Sequence, residues 1–216
     1  MNDRELPRLY LVLTADPAAD DLAGRLEAAL SGGDVACVLF ENPGDLPTRT
    51  YQQLIAPAVR IAQAAGAAAM AHRDSQAAAR LGADGVHLDA DPEAVRDACA
   101  SLQPDTIVGC GPVDTRHRAM ELGEIGPDYL LFGRLDRDDQ QEAHRKPLAL
   151  GGWWAELFST PAVVMAGRDL ASVREVAATG AEFVGLKSAV WSHPGGPGAA
   201  VAEALRIISE VAEAPA

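Results

Sequence analysis

Three near-copies of one phrase constrain this chain more than any other feature: LGADGVHL at 81–88, IGPDYLLF at 125–132 and TGAEFVGL at 179–186. Each sets a glycine and an acid before an apolar run. Glycine accepts the left-handed conformation that closes a helix, and an unbroken apolar run suits a parallel strand covered on both faces. The phrase therefore reads as a helix end feeding a buried strand. Its glycines, Gly82, Gly126 and Gly180, stand 44 and 54 residues apart. Each gap fits two strand–helix units, so the whole chain fits eight, the number that closes a parallel barrel.

Apolar runs bounded by turn residues predict strands near 9–13, 35–40, 67–71, 85–88, 107–110, 129–132, 162–166 and 183–186. Alanine-rich amphipathic stretches such as DDLAGRLEAAL, YQQLIAPAVRIAQAA and PEAVRDACASL alternate with them, and 198–212 reads as a final helix that closes the ring. This alternation implies right-handed crossovers. The expectation is an α/β chain folded as a single (β/α)8 TIM barrel over residues 1–216, for which 48% hydrophobic residues supply one core.

Composition removes several function classes. The formal charge of −13 repels nucleic acid and anionic lipid, so neither is expected as a partner, and an anionic substrate needs local cations. MNDRELPR lacks the pattern of a signal, and LYLVLTA is too short to cross a bilayer, so a cytoplasmic protein is expected. Cys37, Cys99 and Cys110 lack zinc-site spacing and read as reduced core residues. The sequence leaves a homo-oligomer open.

Two connectors break the rhythm, 41–47 (ENPGDLP) and 133–147 (GRLDRDDQQEAHRKP), and both follow the C-terminal end of a strand, where barrels carry their chemistry. The second reads as a solvated loop or as a lid whose His144, Arg145 and Lys146 could cover an anion. The strand ends offer His72 and Arg73 after strand three, Asp89 and Asp91 after strand four, Arg134 and Asp136 after strand six, Gly167 and Arg168 after strand seven, and Lys187 and Ser188 at strand eight.

AGRD at 166–169 and LKSAV at 186–190 form the phosphate candidate, because barrels hold phosphate between the loops after strands seven and eight with backbone N–H groups. Gly167 would let backbone approach the anion, and Arg168 or Lys187 would neutralise it. The alternative is a turn at Gly167, a helix cap at Asp169 and surface ion pairs for the cations. Asp89 and Asp91 have the type and spacing of a magnesium site, although Asp91 before Pro92 also reads as a helix cap. His87 lies inside a strand and reads as a core histidine, whereas His72 is a candidate for the mouth.

GADGVHL, VVMAG and the KSAV end of strand eight together resemble the thiamine phosphate synthase family and its thiazole tautomerase relatives. The resemblance implies a (β/α)8 barrel. It also implies a magnesium-dependent transferase of thiamine biosynthesis that joins an aminopyrimidine methyl diphosphate to a thiazole phosphate through a dissociative step. Its diphosphate-binding glutamine, arginine and lysine fall on Val38, Phe40 and Asn42. Its asparagine and metal-binding aspartate after strand three fall on His72 and Arg73, and its HLGQ motif on His87, Leu88, Asp89 and Ala90. The serine after strand five falls on Gly111, Val113 stands nearest the tautomerase histidine, and the lysine after strand six is matched by Lys146. The thiazole phosphate site is matched by Gly167, with Arg168 in place of the second glycine, and by Ser188 and Ala189.

The resulting expectation is a divergent family member that binds a small phosphorylated heterocycle, with His72, Arg73 and Lys146 as catalytic candidates. Gly167, Arg168, Lys187, Ser188 and Ala189 are its phosphate candidates, and Asp89 and Asp91 its magnesium candidates. Two rival expectations are a non-catalytic ligand-binding or regulatory relative, and an isomerase of a phosphorylated heterocycle with His72 as acid or base.

Overall fold

In the computed structural model, which describes residues 6–19, 21–44, 46–136 and 140–213, eight parallel strands close into a barrel in sequence order. They are β1 (Arg8–Thr14), β2 (Cys37–Glu41), β3 (Ala68–His72), β4 (Gly85–Leu88), β5 (Ile107–Cys110), β6 (Tyr129–Phe132), β7 (Ala162–Met165) and β8 (Phe183–Leu186). β1 pairs with β8, so no edge is left open. Around them run α1 (Leu22–Leu30), α2 (Thr48–Ala64), α3 (Ser75–Leu81), α4 (Pro92–Leu102), α5 (Arg116–Ile125), α6 (Arg145–Leu157), α7 (Val173–Ala177), α8 (Ser188–Trp191) and α9 (Pro197–Glu213). Among the described residues no helix is long and apolar enough to cross a membrane.

The repeated phrase is built as expected, with one addition. Gly82, Gly126 and Gly180 all take positive φ, between 64° and 89°. The acid that follows each of them clasps the strand before it. Asp84 accepts the Ala69 N–H at 2.8 Å, Asp128 that of Val108 at 2.7 Å, and Glu182 that of Ala162 at 2.7 Å. The entry to every second strand is thus tied to its neighbour by a charge-assisted bond.

Alternation of side chains sorts the core into two shells. Leu9, Leu11, Leu13, Val38 and Phe40 face the helices, while Tyr10, Val12, Cys37 and Leu39 fill the barrel. The three cysteines are buried and free. Trp154 is buried, stacks on Phe158 with centroids 4.0 Å apart, and donates its Nε1–H to the Thr160 carbonyl.

Strands β2 and β3 each end one residue past the expected limit, at Glu41 and His72. The period-two rule then turns both side chains into the barrel, in step with Leu39 and Met70. The strands' C-terminal ends share one rim, where the candidate residues after β3, β4, β6, β7 and β8 gather.

Candidate functional site

The mouth is organised around a cation and an acid that the strand alternation brings face to face. Lys187, at the end of β8, places Nζ 2.7 Å from Glu41 Oε2, with side chains only 17% and 5% exposed. The same carboxylate oxygen accepts the Thr14 hydroxyl at 2.6 Å, and Lys187 also donates to the Leu135 carbonyl. Glu41 is a residue that the sequence reading assigned to a loop; the signal that finds it is its place two residues beyond inward-facing Leu39. Val38 and Phe40, which the resemblance aligned with a diphosphate clamp, lie in the shell against the helices. Asn42 instead bonds Leu46 through both its amide nitrogen and its carbonyl oxygen.

Beside this pair two imidazoles lie in register, His72 on β3 and His87 on β4. The Asn42 backbone N–H donates to His72 Nδ1 at 3.2 Å, and His87 Nδ1 meets the Tyr129 hydroxyl at 2.9 Å. Tyr129 in turn meets the Tyr10 hydroxyl at 2.8 Å, deep in the barrel. Burial holds the His72 imidazole below its ordinary pKa, helped by Arg73 and opposed by Glu41. Burial, then His72 and Arg73, pushes His87 well below its own. Both rings are therefore neutral near pH 7.

Arg73 follows His72 in the left-handed region, at φ 58°, and its guanidinium clasps Asp89 Oδ1 at 2.6 and 2.9 Å. The two expected magnesium ligands, Asp89 and Asp91, are both engaged within the chain. Asp89 already carries a cation, and Asp91 caps α4 by accepting the Glu93 N–H at 3.2 Å, with Pro92 at the first helical position. Among the described residues no group of three or more His, Cys, Asp or Glu is arranged to hold a metal ion. Asp89 and Asp91 would have to leave these partners to hold the ion, and no chemistry is assigned through it.

At the ends of β7 and β8 a cleft of about 550 Å³ opens between the loop after β7 and the start of α8, lined by Arg168, Ser188, Ala189, Gln141 and His193 among others. Three of the expected phosphate residues thus share one hollow. Gly167 lies just behind it, buried, with room for no side chain, since a Cβ there would stand 2.2 Å from the Gln141 carbonyl oxygen. Its N–H donates to Ser172 Oγ, and the N–H groups of Arg168 and Asp169 donate to the carbonyls of Gln140 and Gln141. The Arg168 and Asp169 amides thereby tie down the connector after β6. Of that connector, 137–139 lie outside the described residues. Lys146 stands exposed on the first turn of α6.

The rim cations differ in one respect. Arg73 is paired with Asp89, Arg134 with Asp136 at 2.5 Å and Lys187 with Glu41. Arg168 is exposed and forms no ion pair among the described residues.

The sequence profile described as thiamine monophosphate synthase matches residues 9–190. The chain is 35% identical over 202 residues to the thiamine-phosphate synthase of Hyphomonas neptunium, covering 90% of this chain and 91% of that one. To the thiamine-phosphate synthase of Rhodospirillum centenum it is 34% identical over 207 residues, covering 93% and 97%. In structure it is similar to a thiamine phosphate pyrophosphorylase from Pyrococcus furiosus, with a TM-score of 0.78 at 24% identity over 94% of this chain and 96% of that one. Sequence likeness along almost the entire barrel places this chain in the thiamine monophosphate synthase family.

Proposed function

We propose that this chain is a divergent synthase that holds a small phosphorylated heterocycle at the C-terminal rim, its phosphate in the cleft between the loop after β7 and α8. The observation that carries the reading is the convergence there of Arg168, Ser188 and Ala189. The Arg168 guanidinium supplies the planar, doubly donating group that a phosphate accepts. Lys187 stands on the mouth side of the same strand, available to the anion at the cost of its bond to Glu41.

Within this reading the reaction joins an aminopyrimidine methyl diphosphate to a thiazole phosphate. The methylene C–O bond breaks, diphosphate leaves with the electron pair, and the thiazole nitrogen forms the new C–N bond. The barrel's part is to hold the two rings in line and exclude water. Arg73, Arg134 and Lys146 would meet the departing charge, the first two after exchanging their carboxylate partners.

That exchange also favours a second reading. A mouth whose cations are already matched by acids stabilises a diphosphate leaving group poorly, and each missing contact of this kind costs about 10² in rate. A relative that binds the monophosphate without turning it over fits the same geometry. The separating experiment supplies both thiamine precursors with magnesium to the purified protein. Formation of thiamine phosphate supports the synthase, whereas calorimetric binding of thiazole phosphate with no turnover supports the binding protein.

A further inference from the structure

The two imidazoles at the mouth each keep one buried nitrogen without a partner among the described residues, His72 Nε2 and His87 Nε2. An unpaired buried polar atom costs about 1–3 kcal/mol, so two of them in neighbouring rings, centroids 5.9 Å apart, ask for an occupant.

The two nitrogens differ chemically. Because His72 Nδ1 accepts the Asn42 N–H, the proton of the neutral ring sits on Nε2, which is a fixed donor. His87 Nδ1 touches a hydroxyl that touches a second hydroxyl, and such a chain runs in either direction. In one direction Tyr10 donates to Tyr129, Tyr129 donates to Nδ1, and Nε2 carries the hydrogen. In the other, Nδ1–H donates to Tyr129, Tyr129 donates to Tyr10, and Nε2 presents a lone pair.

We propose that His72 and His87 together read the edge of a flat nitrogen heterocycle, His72 as a fixed donor and His87 as donor or acceptor according to the direction of the Tyr129–Tyr10 chain. An edge with two ring-nitrogen acceptors suits the first direction, and a ring nitrogen beside an exocyclic amine suits the second. The inference rests on the reading that a heterocycle enters the mouth, and it names the groups that would select it. The Arg73–Asp89 pair ties together the rims of the same two strands. Both side chains are about half exposed, at 50% and 51%, and such a pair holds by only about 0–1 kcal/mol. Tyr129 and Tyr10 act as positioning residues, through His87.

The test labels the histidines of the full chain with nitrogen-15 and adds pyrimidine or 2-aminopyridine as probes. His72 keeps its hydrogen on Nε2 throughout, while His87 carries it on Nε2 with pyrimidine and on Nδ1 with 2-aminopyridine. Tyr10→Phe removes the acceptor for the Tyr129 hydrogen and locks His87 as a donor, so 2-aminopyridine loses about tenfold in affinity relative to pyrimidine. A purely packing role for Tyr10 would weaken both probes alike. Identical His87 nitrogen shifts with both probes, or an unchanged affinity ratio in Y10F, overturns the proposal; the wild-type spectra decide it even where that variant fails to fold. If thiazole phosphate binds while neither probe moves the ring nitrogens, this inference falls and the phosphate cleft stands. Loss of phosphate binding with the tautomer response intact leaves this inference and removes the cleft.

Discussion

Lys187 and Glu41 illustrate how much a single side chain depends on its opposite number at this rim. Removing the lysine leaves a nearly buried carboxylate with one hydroxyl donor, whereas Glu41→Gln keeps an oxygen for Lys187 and Thr14. Lys187→Ala is therefore expected to lower unfolding stability by about 2–4 kcal/mol and Glu41→Gln by about half that, as read from denaturant midpoints. The histidines add a pH dependence whose sign follows from their environment. Both are held below their ordinary pKa in the folded chain, so between the folded and unfolded values only the unfolded chain takes up the proton. Their contribution is fully present above about pH 6.5 and is lost as the pH falls below it, at up to about 1.4 kcal/mol per pH unit for each ring. Denaturation followed between pH 7.5 and 5.5 should show this loss, and His87→Gln should flatten the slope; an equal slope in the variant would assign the acid sensitivity elsewhere.

At the scale of elements, the acids before β4, β6 and β8 are the joints of the barrel. Asp128→Ala would leave the Val108 N–H without its acceptor and is expected to cost about 1–3 kcal/mol, with faster amide exchange concentrated at the start of β5. Asp128→Asn, which keeps a carbonyl oxygen in place, should cost less than half as much. The repeated phrase made these elements legible, because a positive-φ glycine, an acid and a doubly buried strand leave a pattern in local sequence. The limits of β2 and β3 were less legible. Glu41 and His72 are polar, which reads as the end of an apolar run, yet each continues the inward alternation and meets a partner, 146 and 30 residues distant.

Across the whole molecule, closure of the sheet brings residues from both ends of the chain to one rim, and the local sequence shows which residues arrive but not how they pair there. Arg168, Ser188 and Ala189 do share a cleft, as their places after β7 and β8 imply. The match of Arg73 with Asp89 and the use of the Gly167, Arg168 and Asp169 amides by neighbours depend on side-chain direction and loop return, which no spacing rule encodes. The central claim, a phosphate held in the cleft at β7 and β8, is tested most directly by calorimetric titration of thiazole phosphate into the wild-type chain and Arg168→Ala at matched ionic strength. Loss of a charge-assisted contact predicts an affinity at least about tenfold weaker in the variant. Equal affinities in the two proteins would contradict the account.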